Sequence, residues 1–486
     1  MTACERMGEW AAQLSLSQVP PQVAERARLQ TLATLAAGRA GREAAAPFAA
    51  VAPSGPLGEV YAGAAASIAH DWDDYLFMGH TGHSAVWTAR AFTDDPERAL
   101  LAQIAANEVA GRLGAALFLG PHNGQFWASI HCGSAAVAAG VALALDAERL
   151  AQALAIALYQ PPFGLVAGFM GPDTKLLTAA APAVQGAQAA LLAEEGVNGP
   201  LDVIEDRRGL LTHFAFVRRP AMLEELGRVW LTDTLAYKPV PGCAYLQPAV
   251  DAVLGTGVAA ADIASVEVDA GYLTLAMEAL GRRAGFGAVG VTFSTARSVA
   301  VASIAGRLTH EELSPSWLAE HRTAVEELAG RTELRHDWEL TLQTIQGTVA
   351  GGASLRDVPL SAWPGIIRRA REAGLIETAV DRKELRRLLA ESGSLRELVG
   401  VLRRDTRRSD GSSGMASINT SALRMTFPCR VRIRLRSGRV IEADGREPGS
   451  CGRPLDEQRA VVENKCRTVG AEPAELLAAG SGVASR

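Results

Sequence analysis

At 486 residues, 48% of them hydrophobic and 21% charged, the chain is long enough for two or three domains with substantial cores. A net charge of −5 leaves no basic field, which excludes nucleic acid as an expected partner. Aromatic residues are scarce at 5%, so helices packed closely through small side chains are favoured.

Residues 1–237 read as helix after helix. Ala-rich stretches such as Ser134–Leu145 and Leu150–Leu158 are apolar nearly all round, as expected in the middle of a bundle. Breaks fall at Pro53–Pro56, Gly120–Gly124, Pro161–Gly164, Gly171–Pro172 and Gly196–Pro200. The charge-free stretch between Arg112 and Asp146 is interrupted by Pro121, His122, Asn123, Gln125 and His131, so a buried helix pair is expected there and no membrane span. From residue 238 to 449 the pattern changes to α+β. Ile263–Ala270 and Trp338–Thr344 alternate like half-buried strands, and Pro315–Leu328 reads as a helix. Arg430–Ile441 is the clearest hairpin, with Val431, Ile433 and Leu435 on one face, arginines on the other, and Ser437-Gly438 at the turn. A charged helical insertion interrupts this region at about residues 346–420, ending in the linker-like Arg407–Ser417. From Pro454 the chain returns to helix, and residues 450–486 are expected to rejoin the first domain. The fold class is mainly α: a large all-helical bundle with a smaller α+β lid.

The six cysteines are far apart and form no CxxC pair, so neither a zinc site nor a disulfide framework is indicated. The charged N-terminus lacks the apolar core of a signal peptide, and a reducing, cytoplasmic setting is expected. Of 48 basic residues only Lys175, Lys238, Lys383 and Lys465 are lysines. An ammonium and a guanidinium are not interchangeable at a site, so survivors in a chain that otherwise uses arginine invite individual attention. Lys175 and Lys238 sit beside Pro and Gly turn signals, whereas Lys383 and Lys465 lie in charged helical stretches and read as residues left by drift. The densest polar cluster is His70-Asp71-Trp72-Asp73-Asp74-Tyr75, followed by His80-Thr81-Gly82-His83. On a helix Asp71, Asp74 and Tyr75 would share one face, with His80 and His83 folded back over it. Carboxylates near imidazoles in an apolar bundle suit acid/base chemistry.

These motifs, taken in order, resemble the 2-methylcitrate dehydratase (MmgE/PrpD) family, which includes cis-aconitate decarboxylase and iminodisuccinate epimerase. The stretch 70–83 is similar to the family's D-[FY]-D-D-[TS] and following His segment. Gly171–Pro200 is similar to its T-K-P-L-H helix, Lys238–Val250 to its K-x-Y-P-C-C-x-x-x-H-P-A-x-D, and Phe293-Ser294 to an F-S before a helix. The late hairpin and the Pro454–Lys465 helix also match. The resemblance implies a homodimeric, cofactor-independent lyase or isomerase, with a helical domain holding the site and an α+β lid over it. Asp71 then corresponds to the catalytic aspartate, His83 or His80 to the loop histidine, Lys175 and Lys238 to the two lysines, and Cys243 to the lid-hinge cysteine.

Departures from the pattern matter equally. Trp127 stands where the family carries a histidine, with His131 one helical turn on as a substitute; Thr178 and Gln247 replace two more imidazoles, and Tyr75 replaces a small hydroxyl. Trp127, Cys243, Tyr245, Gln247 and Thr178 are expected to shape the substrate pocket, with Tyr75 or His131 as acid. Fewer imidazoles and added bulk favour another carboxylate or carbonyl substrate, in a specialised biosynthetic pathway, over 2-methylcitrate dehydration in propionate metabolism. A catalytically retired scaffold of the same fold is the alternative of a different class. Gly285-Phe286-Gly287-Ala288-Val289-Gly290 spells GxGxxG but lacks the preceding strand that dinucleotide binding requires. Asp71-Trp72-Asp73-Asp74 spells a terpene-cyclase acid without the aromatics such pockets need. No metal is expected from one loose His/Asp cluster.

Overall fold

The structure, a computed structural model, describes residues 1–120, 125–281, 285–352, 358–372 and 414–478. Most of the expected insertion, with Lys383 and most of Arg407–Ser417, lies outside them.

The helical part is built on close approach. Leu177–Glu194 packs along Gln125–Ala142, and a Cβ added at Gly186 would stand 2.1 Å from the Cys132 carbonyl oxygen. Around this pair lie Ala3–Gln13, Pro21–Gly41, Pro56–Ile68, Gly82–Phe92, Pro96–Leu117 and Ala147–Tyr159. Their caps are local: Thr2 forms a capping box with Glu5, and Asp95 accepts from the Glu97 and Arg98 amides. Asp173–Glu194 is long and apolar enough to cross a membrane, but 56% of its apolar window is buried within the protein. The core of this part extends to Leu423, Cys451, Val462 and Cys466, so the C-terminal helix Leu455–Thr468 packs back onto the bundle.

A second core surrounds a four-stranded sheet of order β4-β3-β5-β6, with β3 Ile263–Ala270, β4 Thr332–His336, β5 Cys429–Leu435 and β6 Val440–Asp444. Strand β3 pairs parallel with β4 and antiparallel with β5, and β5–β6 form the expected hairpin, with Gly438 at φ +86 in its turn. Val266, Val268, Val431 and Ile433 are buried, covered by Gln247–Thr256, Thr295–Ala305 and Pro315–Ala329. On the opposite face Arg432 pairs with Glu267 at 2.6 Å and Glu442 at 3.0 Å. That cross-strand ladder is the physical content of the alternating arginines.

Two expectations are corrected. Trp338–Thr344 is helical, within Trp338–Ala350, because Asp337 caps the Glu339 and Leu340 amides, and the strand is the preceding Thr332–His336. Asp71, Asp74 and Tyr75 share no helix face. The helix ends at Ile68, Asp71 turns left-handed at φ +52, and Asp74–Tyr75 forms a two-residue strand, β1, paired antiparallel with β2, Ala236–Tyr237. Asp tolerates that backbone region better than most residues.

The glycines make the packing argument testable. Gly186→Ala should cost about 1–3 kcal/mol by overpacking, whereas Gly255→Ala, which meets nothing within 4 Å, should gain about 0.5 kcal/mol. Thermal melts of both variants check this; equal midpoints would refute the close-contact account.

Candidate active site

The left-handed turn at Asp71 and the β1–β2 pairing bring three distant stretches together. Pairing Asp74 with Tyr237 puts Lys238 beside Asp73, where the Lys238 amide donates to the Asp73 carbonyl oxygen at 3.3 Å. The Lys238 ammonium donates to the Asp71 carbonyl at 2.9 Å, to Asp71 Oδ2 at 2.8 Å and to Asp73 Oδ1. Lys175, from the 3₁₀ turn Asp173–Leu176, reaches Asp71 Oδ1 at 2.9 Å and the Ile68 carbonyl at 2.6 Å. Both lysines are at most 1% exposed, against 7% for Asp71 and 3% for Asp73.

Asp73 is the junction between lysines and imidazoles. Its Oδ2 accepts from His80 Nδ1 at 2.6 Å and from His83 Nε2 at 3.1 Å. His83 Nδ1 meets Ser67 Oγ at 2.8 Å, so both its ring nitrogens are engaged within the protein. His131 Nδ1 meets Ser84 Oγ at 3.0 Å, and its ring lies 5.7 Å from that of His83. The Ser84 hydroxyl also donates to the Thr81 carbonyl at 3.2 Å. Its single hydrogen is thereby spent, so it accepts from His131 Nδ1–H and leaves the lone pair on Nε2.

Electrostatics follow burial and pairing. Burial alone would raise Asp71, but Lys175 and Lys238 hold it below the ordinary carboxylate value. Asp73 is likewise desolvated, yet Lys238, His80 and His83 hold it well below. Burial opposes the charged form of Lys238, and Asp71 and Asp73 overcome it and raise the group. Burial, then the charge of His83, pushes His131 well below the usual imidazole range, so it stays neutral. Asp74, which accepts from Gln30 at 2.7 Å behind the site, is raised by burial and by Asp73.

Asp71, Asp73, His80, His83, His131, Thr178 and Cys243 line one small cavity with the apolar walls Ile68, Phe169, Met277 and Phe293. Its volume of about 40 Å³ holds little more than water. Burial raises the Cys243 thiol to about 12, so it remains protonated. Two expected pocket residues stand elsewhere. Tyr245 donates to the Phe293 carbonyl at 2.8 Å, and Gln247 donates to the Val240 and Gly242 carbonyls, so both shape the 240–247 loop. Tyr75, expected as a candidate acid, packs in the main core outside the cavity lining, with its ring 6.0 Å from that of His80. The Trp127 side chain lies outside the described residues.

Sequence reasoning missed Asp73 as the junction, because a helical reading pointed it away from Asp71. It also missed Lys465. That residue is fully buried, donates to the Trp72 carbonyl at 2.6 Å and lies 5.1 Å from the Trp72 ring centroid. Scarcity of lysine was the available signal, overridden by the charged helix around it.

Burial lowers Lys465 to about 7, against the upward pull of Asp73 and Asp74. Between about 7 and the ordinary value of 10.5 the unfolded chain binds a proton that the folded chain lacks. Stability therefore rises with pH across that window and is lost as pH falls toward 7. The difference in thermal midpoint between the natural chain and Lys465→Met should shift in favour of the natural chain from pH 7 to 9; a pH-independent difference would contradict the assignment.

Residues 56–221 match the MmgE/PrpD N-terminal domain. No curated protein matches the chain significantly.

Proposed function

The chain belongs to the MmgE/PrpD family, whose members are generally lyases and isomerases, and on that premise we propose that it removes a proton next to a carboxylate or carbonyl without a cofactor. The product would follow by elimination, decarboxylation, epimerisation or double-bond migration. The observation that carries this reading is the convergence of Lys175 and Lys238 on Asp71, beside a cavity into which a neutral His131 faces.

In this reading His131 Nε2 is the base, since Nδ1 is held by Ser84 and the ring is kept uncharged. The two ammonium groups stabilise the enolate-like charge that develops when the proton leaves. His80, hydrogen-bonded to Asp73 at 2.6 Å, is placed to return a proton. His83 is engaged on both sides and positions Asp73. This assigns the base differently from the sequence expectation of Asp71 or His83, because both of those are committed to partners within the protein. The Phe169, Met277 and Phe293 walls would part on entry, since ligand pockets are typically about 300–1,000 Å³.

Charge balance favours a substrate other than a tricarboxylate. Lys175 and Lys238 are already matched by Asp71 and Asp73, and no arginine lines the cavity among the described residues. A mono- or dicarboxylate with an apolar substituent suits such walls, and a specialised biosynthetic role suits such a substrate.

The experiment is deuterium exchange in D2O, followed by proton NMR, across a panel of short mono-, di- and tricarboxylic acids and their unsaturated analogues. The natural chain should exchange the α-proton of an apolar-substituted member, and His131→Asn or Lys175→Arg should slow it by about 10²-fold or more. Exchange that both variants leave unchanged, or no exchange in any panel member, would remove the reading in favour of a scaffold. Preferred turnover of 2-methylcitrate would restore the dehydratase alternative.

A further inference from the structure

Three lysine amino groups hold three carbonyls of one short stretch of backbone. Lys175 binds the Ile68 carbonyl, Lys238 that of Asp71 and Lys465 that of Trp72. Two of these lysines also bind carboxylates; Lys465 has none within ion-pair distance among the described residues, although it is fully buried. A buried lysine without a carboxylate is costly to keep, so its contact with the backbone calls for an explanation.

We propose that Lys465 is a positioning residue for Asp71 and Asp73, holding the peptide and indole of Trp72 between them so that both carboxylates face Lys238. The inference rests on the reading of these aspartates as part of the working site. Asp71 and Asp73 both meet Lys238, while Trp72 between them is engaged by Lys465. The indole N–H donates to the Lys238 carbonyl at 3.0 Å, and the ring stacks on His310 of the α+β part at 6.5 Å. Trp72 therefore ties the turn to the Lys238 strand, to the C-terminal helix and to the sheet-bearing part at once. Holding its carbonyl sets the plane of the 72–73 peptide and thus the direction of Asp73.

The left-handed backbone at Asp71 gives the clamp a reason. A non-glycine residue at φ +52 persists only where its surroundings over-determine it. Carbonyls on either side of the strained residue are held by lysines more than 60 residues apart in sequence. The choice of residue follows too. A single carbonyl acceptor in a dry space suits a compact amino group that can shed its charge, whereas a permanently charged guanidinium would leave several of its five donors unmatched.

The test exploits the small number of lysines. In the full chain labelled with ¹³Cε-lysine only four side-chain signals arise, assigned by substituting each lysine in turn. Lys465→Met should move the Lys238 and Lys175 signals and speed amide exchange at Trp72 and Asp73, with the rest of the bundle still protected. Lys465→Gln, which keeps an N–H donor on a shorter arm, should give a smaller change of the same kind and guards against misfolding of the first variant. On the panel substrate, kcat should fall by up to about 10²-fold with little change in KM, the signature of misplaced catalytic groups. Unmoved Lys175 and Lys238 signals with unchanged amide exchange in both variants would overturn the proposal. The labelling and exchange measurements need no substrate, so failure of the clamp and failure of the reaction reading are told apart.

Discussion

The structure depends on satisfying one strained turn inside a dry bundle. Residues 68–74 leave a helix, reverse through a left-handed aspartate and enter a two-residue strand, all with their backbone buried. Buried carbonyls and carboxylates away from regular structure need donors. Three lysines supply them, from the Asp173–Leu176 turn, from the end of β2 and from the Leu455–Thr468 helix. The site and the fold share this requirement. Two of these three, Lys175 and Lys238, are the groups assigned to the anion in the proposed reaction.

That sharing explains why the chain folds back on itself. The last long helix brings Lys465 under Trp72, while Gln458 donates to the Leu235 and Ser450 carbonyls, fixing the approach to β2. Glu108 pairs with Arg112 at 2.7 Å and accepts from the Leu231 and Thr232 amides, a few residues before β2. A buried ion pair of this kind contributes little net stability, but removing one partner is costly. Its effect here is to fix where residues 230–238 run, and with them Lys238. Gln30, Asn107 and Gln103 form a further buried network that holds Asp74 from behind. The groups assigned to the proposed reaction thus sit on buried, hydrogen-bonded supports, as pre-organised chemistry requires.

The imidazoles divide by what their second nitrogen does. His83 is closed on both sides, His80 leans on Asp73, and His131 alone combines a neutral ring with a nitrogen available to the cavity. Residue type did not distinguish these three; the hydroxyls of Ser67 and Ser84 did. Neither serine stood out in the sequence, because a serine in an Ala-rich helix looks like any other small residue.

Composition and local pattern by themselves determined the mainly helical character, the β3 strand and the β5–β6 hairpin, and singled out Lys175 and Lys238, which converge on Asp71. Hydrophobic period and turn residues are properties of neighbouring positions, and rarity is visible in any list of residues. Only the tertiary structure decided that Asp73 rather than Asp74 joins Asp71, since side-chain directions change when a segment expected to be helical turns left-handed at Asp71 and enters a strand at Asp74. Capping by Asp337 similarly overrode the alternation of Trp338–Thr344. Lys465 was beyond local reading altogether, for its partner lies 393 positions away and its burial arises only when the chain's end packs onto its beginning.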